Sequence, residues 1–81
     1  MYKGQMHRIF NLMQDAKWRT LREISQATGD PPASISAQLR HLRKPVYGSH
    51  SVNSKTLGLR TIGLFQYQLI VNREDPPHDT Q

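Results

Sequence analysis

The sequence predicts a small α+β domain in which three helices precede a C-terminal β-hairpin, with one short strand between the first two helices. Three observations carry this reading. Residues 20–44 hold two helix-length segments separated by a Gly-Asp-Pro-Pro break. Residues 46–71 are poor in helix signals, and across 65–71 the order Phe-Gln-Tyr-Gln-Leu-Ile-Val puts an apolar residue at every second position, the period of a strand buried on one face. Charge is also segregated along the chain. No acidic residue occurs in 31–73, whereas Arg40, Arg43, Lys44, Lys55, Arg60 and Arg73 all fall there.

Met6, Ile9, Phe10 and Met13 make one stripe of an amphipathic helix, so the first helix is expected over residues 3–14. Gly4 and Asn11 are weak helix formers, and packing must hold it. Residues 16–20 are too few for a helix and read as a short strand, with Trp18, the only tryptophan, expected in the core rather than as a stacking platform for single strands. Thr20 opens the second helix: its hydroxyl can accept from a backbone amide while Glu23 reaches back to the Thr20 amide, a capping box. Leu21, Ile24, Ala27 and Thr28 form the inner stripe, and Gly29 suits the left-handed residue that ends the helix.

Pro31 and Pro32 then restrict the turn. A proline in the first helical position loses no hydrogen bond, so the third helix begins by Pro32 or Ala33. Ile35, Leu39 and Leu42 fall within about 60° of one another on a helical wheel and define its buried stripe. Ala33, Ser34, Ala37, Arg40, His41 and Lys44 collect on the opposite side, Ser36, Gln38 and Arg43 on the flanks, and Pro45 ends the helix. In the hairpin, the alternating strand turns Phe65, Tyr67, Leu69 and Val71 to one face. Its partner lies within residues 50–55 with Val52 inward, and the connection around 56–62 puts Lys55 and Arg60 near a basic tip.

Eighty-one residues allow one domain with a thin core. We assign it to residues 1–71 and expect 72–81, polar and carrying Pro76-Pro77 without periodicity, to be a disordered tail. The absence of cysteine excludes disulfides, thiolate nucleophiles and cysteine-containing zinc sites. No apolar run approaches the roughly 20 residues that span a bilayer, and no signal-peptide core opens the chain, so no membrane is expected and the cytoplasm of a bacterial host cell is the expected location. His7, His41, His50 and His78 lack metal-ligand spacing. With no close carboxylate pair, glycine-rich phosphate loop or nucleophile elbow, neither a cofactor nor an enzyme activity is expected.

The net charge of +5 favours a polyanionic partner. Small and hydroxyl-bearing residues early in the third helix allow close approach and hydrogen bonding to base edges, which makes Ser34, Ser36, Ala37, Gln38 and Arg40 the candidate base contacts. Arg40 can pair with guanine and Gln38 with adenine. Thr20, His41, Arg43, Lys44, Lys55 and Arg60 are the candidate backbone contacts.

The string WRTLREISQATGDPPASISAQLRHLRK, followed by glycine-punctuated strands ending in GLFQYQLI, resembles the winged helix-turn-helix domain. It is similar in particular to small winged-helix proteins of bacteriophages and prophages. The resemblance covers residues 18–71 and implies a three-helix core with a β-hairpin wing. It also implies binding to double-stranded DNA in transcriptional or recombinational control. By position, 33–44 is then the recognition helix in the major groove and 50–65 the wing. A homodimer paired through the first helix or the wing is one open arrangement. The alternative function is a protein-binding winged helix, such as a phage inhibitor docking on a host nucleic-acid-processing enzyme through Phe65, Tyr67, Leu64 or Trp18.

Overall fold

The computed structural model describes residues 2–56 and 65–73. Helix α1 (Gly4–Met13) is followed by strand β1 (Arg19–Thr20), helix α2 (Leu21–Thr28) and helix α3 (Pro32–Leu42). A single 3-10 turn (Pro45–Tyr47) then leads to strands β2 (Ser51–Thr56) and β3 (Phe65–Ile70). The domain is thus α+β, with three α-helices and a three-stranded antiparallel sheet ordered β1-β3-β2 among the described residues. The central strand β3 pairs Val52 with Leu69 on one side and Arg19 with Tyr67 on the other.

Apolar periodicity decides how these elements pack. Met6, Ile9 and Met13 of α1, Ile24 of α2, Ile35, Leu39 and Leu42 of α3, and Val52 and Leu69 of the sheet form one buried cluster. Each fully buried aliphatic side chain of this kind contributes about 1.5–3 kcal/mol relative to exposure. The expected stripes of α1 and α3 are the ones observed.

The helix ends follow local chemistry. Thr20 accepts from the Glu23 amide at 3.1 Å and Glu23 Oε1 accepts from the Thr20 amide at 2.7 Å, which completes the capping box. Gly29 closes α2 at φ 81°, its amide donating to the Ser25 carbonyl. Between α2 and α3 the buried Asp30 is gripped by the Arg8 guanidinium of α1, with Nε to Oδ2 at 3.1 Å and Nη2 to Oδ1 at 2.6 Å. That two-pronged bond fastens the α2–α3 turn to α1.

Several expectations are corrected. Ala27 is exposed, because α2 rolls its Leu21, Ile24 and Thr28 side toward the core. Helix α3 ends at Leu42, before Lys44: proline forbids helical torsions in the preceding residue, Lys44 stands at ψ 146°, and Pro45 opens the 3-10 turn. Phe65 shares the inward face of β3 with Leu69 but is 41% exposed, since it pairs with Thr56 beyond the end of the core. Trp18 lies outside the core cluster, half-buried against the sheet, with Lys55 Nζ 4.4 Å from its ring centroid. The expected connection around 56–62, with Arg60, falls from residue 57 on, and the expected tail of 72–81 from residue 74 on, outside the described residues.

His50 is the second buried polar side chain, and its ring joins three segments. Nδ1 accepts from the Asn72 amide at 2.9 Å, so the neutral ring carries its proton on Nε2, which lies 2.6 Å from the Tyr2 hydroxyl. Tyr2 in turn donates to the Tyr47 carbonyl. Every polar atom of the relay has a partner, which is the condition for burying it.

Candidate nucleic-acid interface

Burial of Ile35, Leu39 and Leu42 fixes which side of α3 faces outward. Ala33, Arg40 and Lys44 are exposed, while Ser34 and Ala37 are half-buried. The first turn of α3 has no acidic residue and no side-chain cap, so its leading amides meet no competing negative charge from their own helix. Ser34, Ala37 and Arg40 therefore share one outward surface of small, hydroxyl and cationic groups.

The remaining candidates divide between two flanks. Toward the sheet, Ser36, Arg40 and Arg43 line a shallow groove with Leu39, Val52 and Tyr67. Arg43 donates to the Val52 carbonyl and so ties the C-terminal end of α3 to β2. Toward α1, Gln38 donates to Gln5 Oε1 at 3.3 Å, and His41 stacks on Tyr47 with ring centroids 6.1 Å apart and planes 14° off parallel. Gln38 and His41 line a hollow with Tyr2, Lys3 and Met6. Ser36 and Gln38, two residues apart in sequence, thus point to opposite sides of the helix.

The backbone candidates are also dispersed. The Thr20 hydroxyl is engaged in the capping box, and Lys55 sits on the outer face of the sheet above Trp18. Lys44 is exposed just after α3. Arg60 lies outside the described residues.

The pairing of the acids says more about the α3 surface than the net charge does. The acids among the described residues are Asp15, Glu23 and Asp30, and all three are engaged within the domain. Asp15 is bound by both outer nitrogens of Arg19 at 2.8 Å, Glu23 by the Thr20 amide, and Asp30 by Arg8. The hydrogen bonds from Arg19 hold the Asp15 carboxyl well below its usual range, helped by the Lys17 amide. Arg8 lowers that of Asp30 in the same way, against the opposing effect of burial. Arg40 and Lys44 have no carboxylate partner among the described residues.

Sequence reasoning missed three structural roles. Arg8 and Asp30 are far apart in sequence, and no local signal pairs them. Arg43 has a backbone carbonyl for its partner, which no residue pattern encodes. Lys55 and Trp18 meet only because the sheet order puts β2 and the approach to β1 on the two edges of β3, from which their side chains turn to the same face of the sheet. Among the described residues no three histidine, aspartate or glutamate side chains are grouped to hold a metal, and no helix is long and apolar enough to cross a membrane. No family model matches the chain, and neither a curated protein nor a solved structure shows significant similarity to it.

Proposed function

We propose that this chain is a winged helix-turn-helix that binds double-stranded DNA, with α3 in the major groove and the β2–β3 strands against the backbone. The reading rests on one observation: α3 presents Ser34, Ala37 and Arg40 on an outward surface with no acidic residue, while every described acid is engaged elsewhere. Small side chains let the helix approach base edges, and Arg40 has the fork geometry for guanine. Ser36 and Gln38 approach the groove from the two flanks of the helix. Arg43 and Lys44, with Arg60, supply phosphate contacts that fix position without reading sequence, while Lys55, on the outer face of the sheet over Trp18, is not among them. Transcriptional or recombinational control is the role that the resemblance to small phage winged-helix proteins implies for such binding.

The test is selection from a randomised duplex library at two salt concentrations. Enrichment of a short motif is expected, with affinity falling about 10²- to 10³-fold between 50 and 200 mM salt if about five phosphates are neutralised. Arg40→Ala should flatten the preference at one base position, by a factor that corresponds to about 1–3 kcal/mol. Absence of both enrichment and salt dependence would refute the reading. One feature favours the second reading, a protein partner: Val46 is 79% exposed and Phe65 41%. In that case these apolar groups anchor the complex and Arg40→Ala leaves it intact.

A further inference from the structure

The Trp18–Lys55 pair belongs to neither the core nor the α3 surface. Partners across an antiparallel ladder share a face, so the pairing of Lys55 with Gln66, and of Gln66 with Thr20, puts these side chains on the outer side of the sheet. Asn53 and Gln68 form the adjacent row, joined by a 3.1 Å amide hydrogen bond, and Gln68 also donates to the Ala16 carbonyl at 2.9 Å. Trp18 lies against this face under the Lys55 ammonium. The Gln66 side-chain amide has no hydrogen-bond partner among the described residues. The face therefore combines an indole, an ammonium, a fixed amide row and one free amide, and the neighbouring carboxylates Asp15 and Glu23 are engaged by Arg19 and by the Thr20 amide.

We infer that the outer face of the sheet, centred on Trp18 and Lys55, is a second nucleic-acid site that takes single-stranded DNA or RNA by stacking a base on the Trp18 indole. Duplex bases cannot use the site, because their faces are already stacked. The ring face that a base needs is covered by Lys55, and the balance of the two contacts decides the exchange. A cation–π contact whose ammonium is solvent-exposed, as at Lys55, changes an equilibrium by a factor of about 2 to 5, whereas a base stacked on an aromatic side chain changes it by about 5 to 150. The base displaces the ammonium. Lys55 is then released beside the stacked nucleotide, where its charge meets the phosphate, and Gln66 offers a donor and an acceptor to the base edge.

Because Trp18 is the only tryptophan, its emission reports on this site alone. The experiment titrates the full chain with an oligothymidylate of about 12 nucleotides, within the span of known single-strand sites, and with the same strand annealed to its complement. Saturable quenching by the single strand is expected, with little change on adding the duplex. Trp18→Ala should weaken single-strand binding, measured by anisotropy of a labelled strand, by about 5- to 150-fold. Trp18→Phe keeps a stacking ring and should retain most of the affinity, which separates stacking from any loss of folding. Arg40→Ala should leave the quenching unchanged, so failure of the duplex reading and failure of this one are distinguishable. Emission indifferent to the single strand, equal quenching by duplex, or unaltered binding by Trp18→Ala would each overturn the inference.

Discussion

Replacing Gly48 by alanine should destabilise the domain far more than the same change at Gly29, although both glycines have left-handed backbones. Gly29 stands at φ 81° with nothing within 4 Å of where a Cβ would project. Gly48 stands at φ 112°, and its Cβ would lie 2.6 Å from His50 Nε2, 2.9 Å from His50 Cε1 and 3.2 Å from the Tyr2 hydroxyl. The His50 ring cannot swing aside freely. It is buried, bonded at both nitrogens and packed 5.3 Å from the Phe10 ring. A left-handed alanine costs about 1–2 kcal/mol, and forcing a methyl into a packed site adds about 1–3 kcal/mol. Gly29→Ala should therefore cost about 1–2 kcal/mol and Gly48→Ala about 2–5 kcal/mol. A domain of 81 residues has a total stability of about 4–12 kcal/mol, so the second change brings it close to unfolding. Urea denaturation followed by circular dichroism measures both. Costs equal to within about 0.5 kcal/mol, the usual uncertainty of such differences, would refute the contact argument and leave only the backbone effect.

The His50 relay should make stability fall on mild acidification. Burial lowers the His50 pKa, opposed by the hydrogen bond with the Tyr47 backbone and reinforced by the charge of Arg73. The unfolded chain therefore takes up the proton first, and stability is complete above about 6.5 and lost as pH falls from there through the lower folded value. Urea midpoints between pH 7.5 and 5 test this, and His50→Gln should flatten the dependence, with an unflattened curve assigning it to other groups. In the acid range the Arg8–Asp30 bond acts with the usual carboxylate sign. Because Arg8 lowers the Asp30 pKa, its stabilisation is complete above about 3.9 and lost as pH falls through the folded value. Arg8→Gln should reduce stability at neutral pH and make the acid limb shallower, with Asp15 titrating alike in both proteins; an identical limb would show that the pair does not couple to folding. Thr20→Ala, which opens the capping box, should cost about 1 kcal/mol in chemical denaturation. Since each partner satisfies an amide at the other's position, Thr20→Ala and Glu23→Ala should be non-additive when combined, and strict additivity would mean that the two bonds act independently.

Local rules made the helical part of the fold legible. The Thr20–Glu23 spacing, the left-handed Gly29 and the Pro31-Pro32 start each specify a boundary within a few residues of chain, and each is observed. Strand β3 was legible too, because alternation identifies a half-buried strand wherever it ends, and β2 followed as its partner. What local reasoning could not supply was the depth of burial. Phe65 and Leu69 obey the same alternation, but the core extends only as far as Val52 and Leu69, and Phe65 stands past its edge. Trp18 failed for a related reason. A large apolar side chain beside a helix cap suits the core by composition, yet the sheet order directs it to the outer face, where a lysine from another strand covers it. The Pro45–Tyr47 turn was masked by the proline that ends α3, since the same residue that stops one helix can open a shorter one.

The candidate site shows why counting basic residues misjudges a surface. Arg8, Arg19 and Arg43 contribute to the positive charge of the chain, but each guanidinium is bonded within the domain, to Asp30, Asp15 and the Val52 carbonyl respectively. Two of these bonds act on α3 itself. Arg8 holds the turn that starts the helix, and Arg43 holds its C-terminal end against β2. A helix tied at both ends presents its outward side chains in one orientation, which is the condition for reading base edges instead of sliding along phosphates. Arg40, carried by the helix so fixed, and Lys44, two residues beyond its end, are cations without an internal partner among the described residues. Structural arginines thus set the pose of α3; on the proposed DNA reading, loss of Arg43 would disturb recognition through the angle of the helix even if its guanidinium never touched a phosphate.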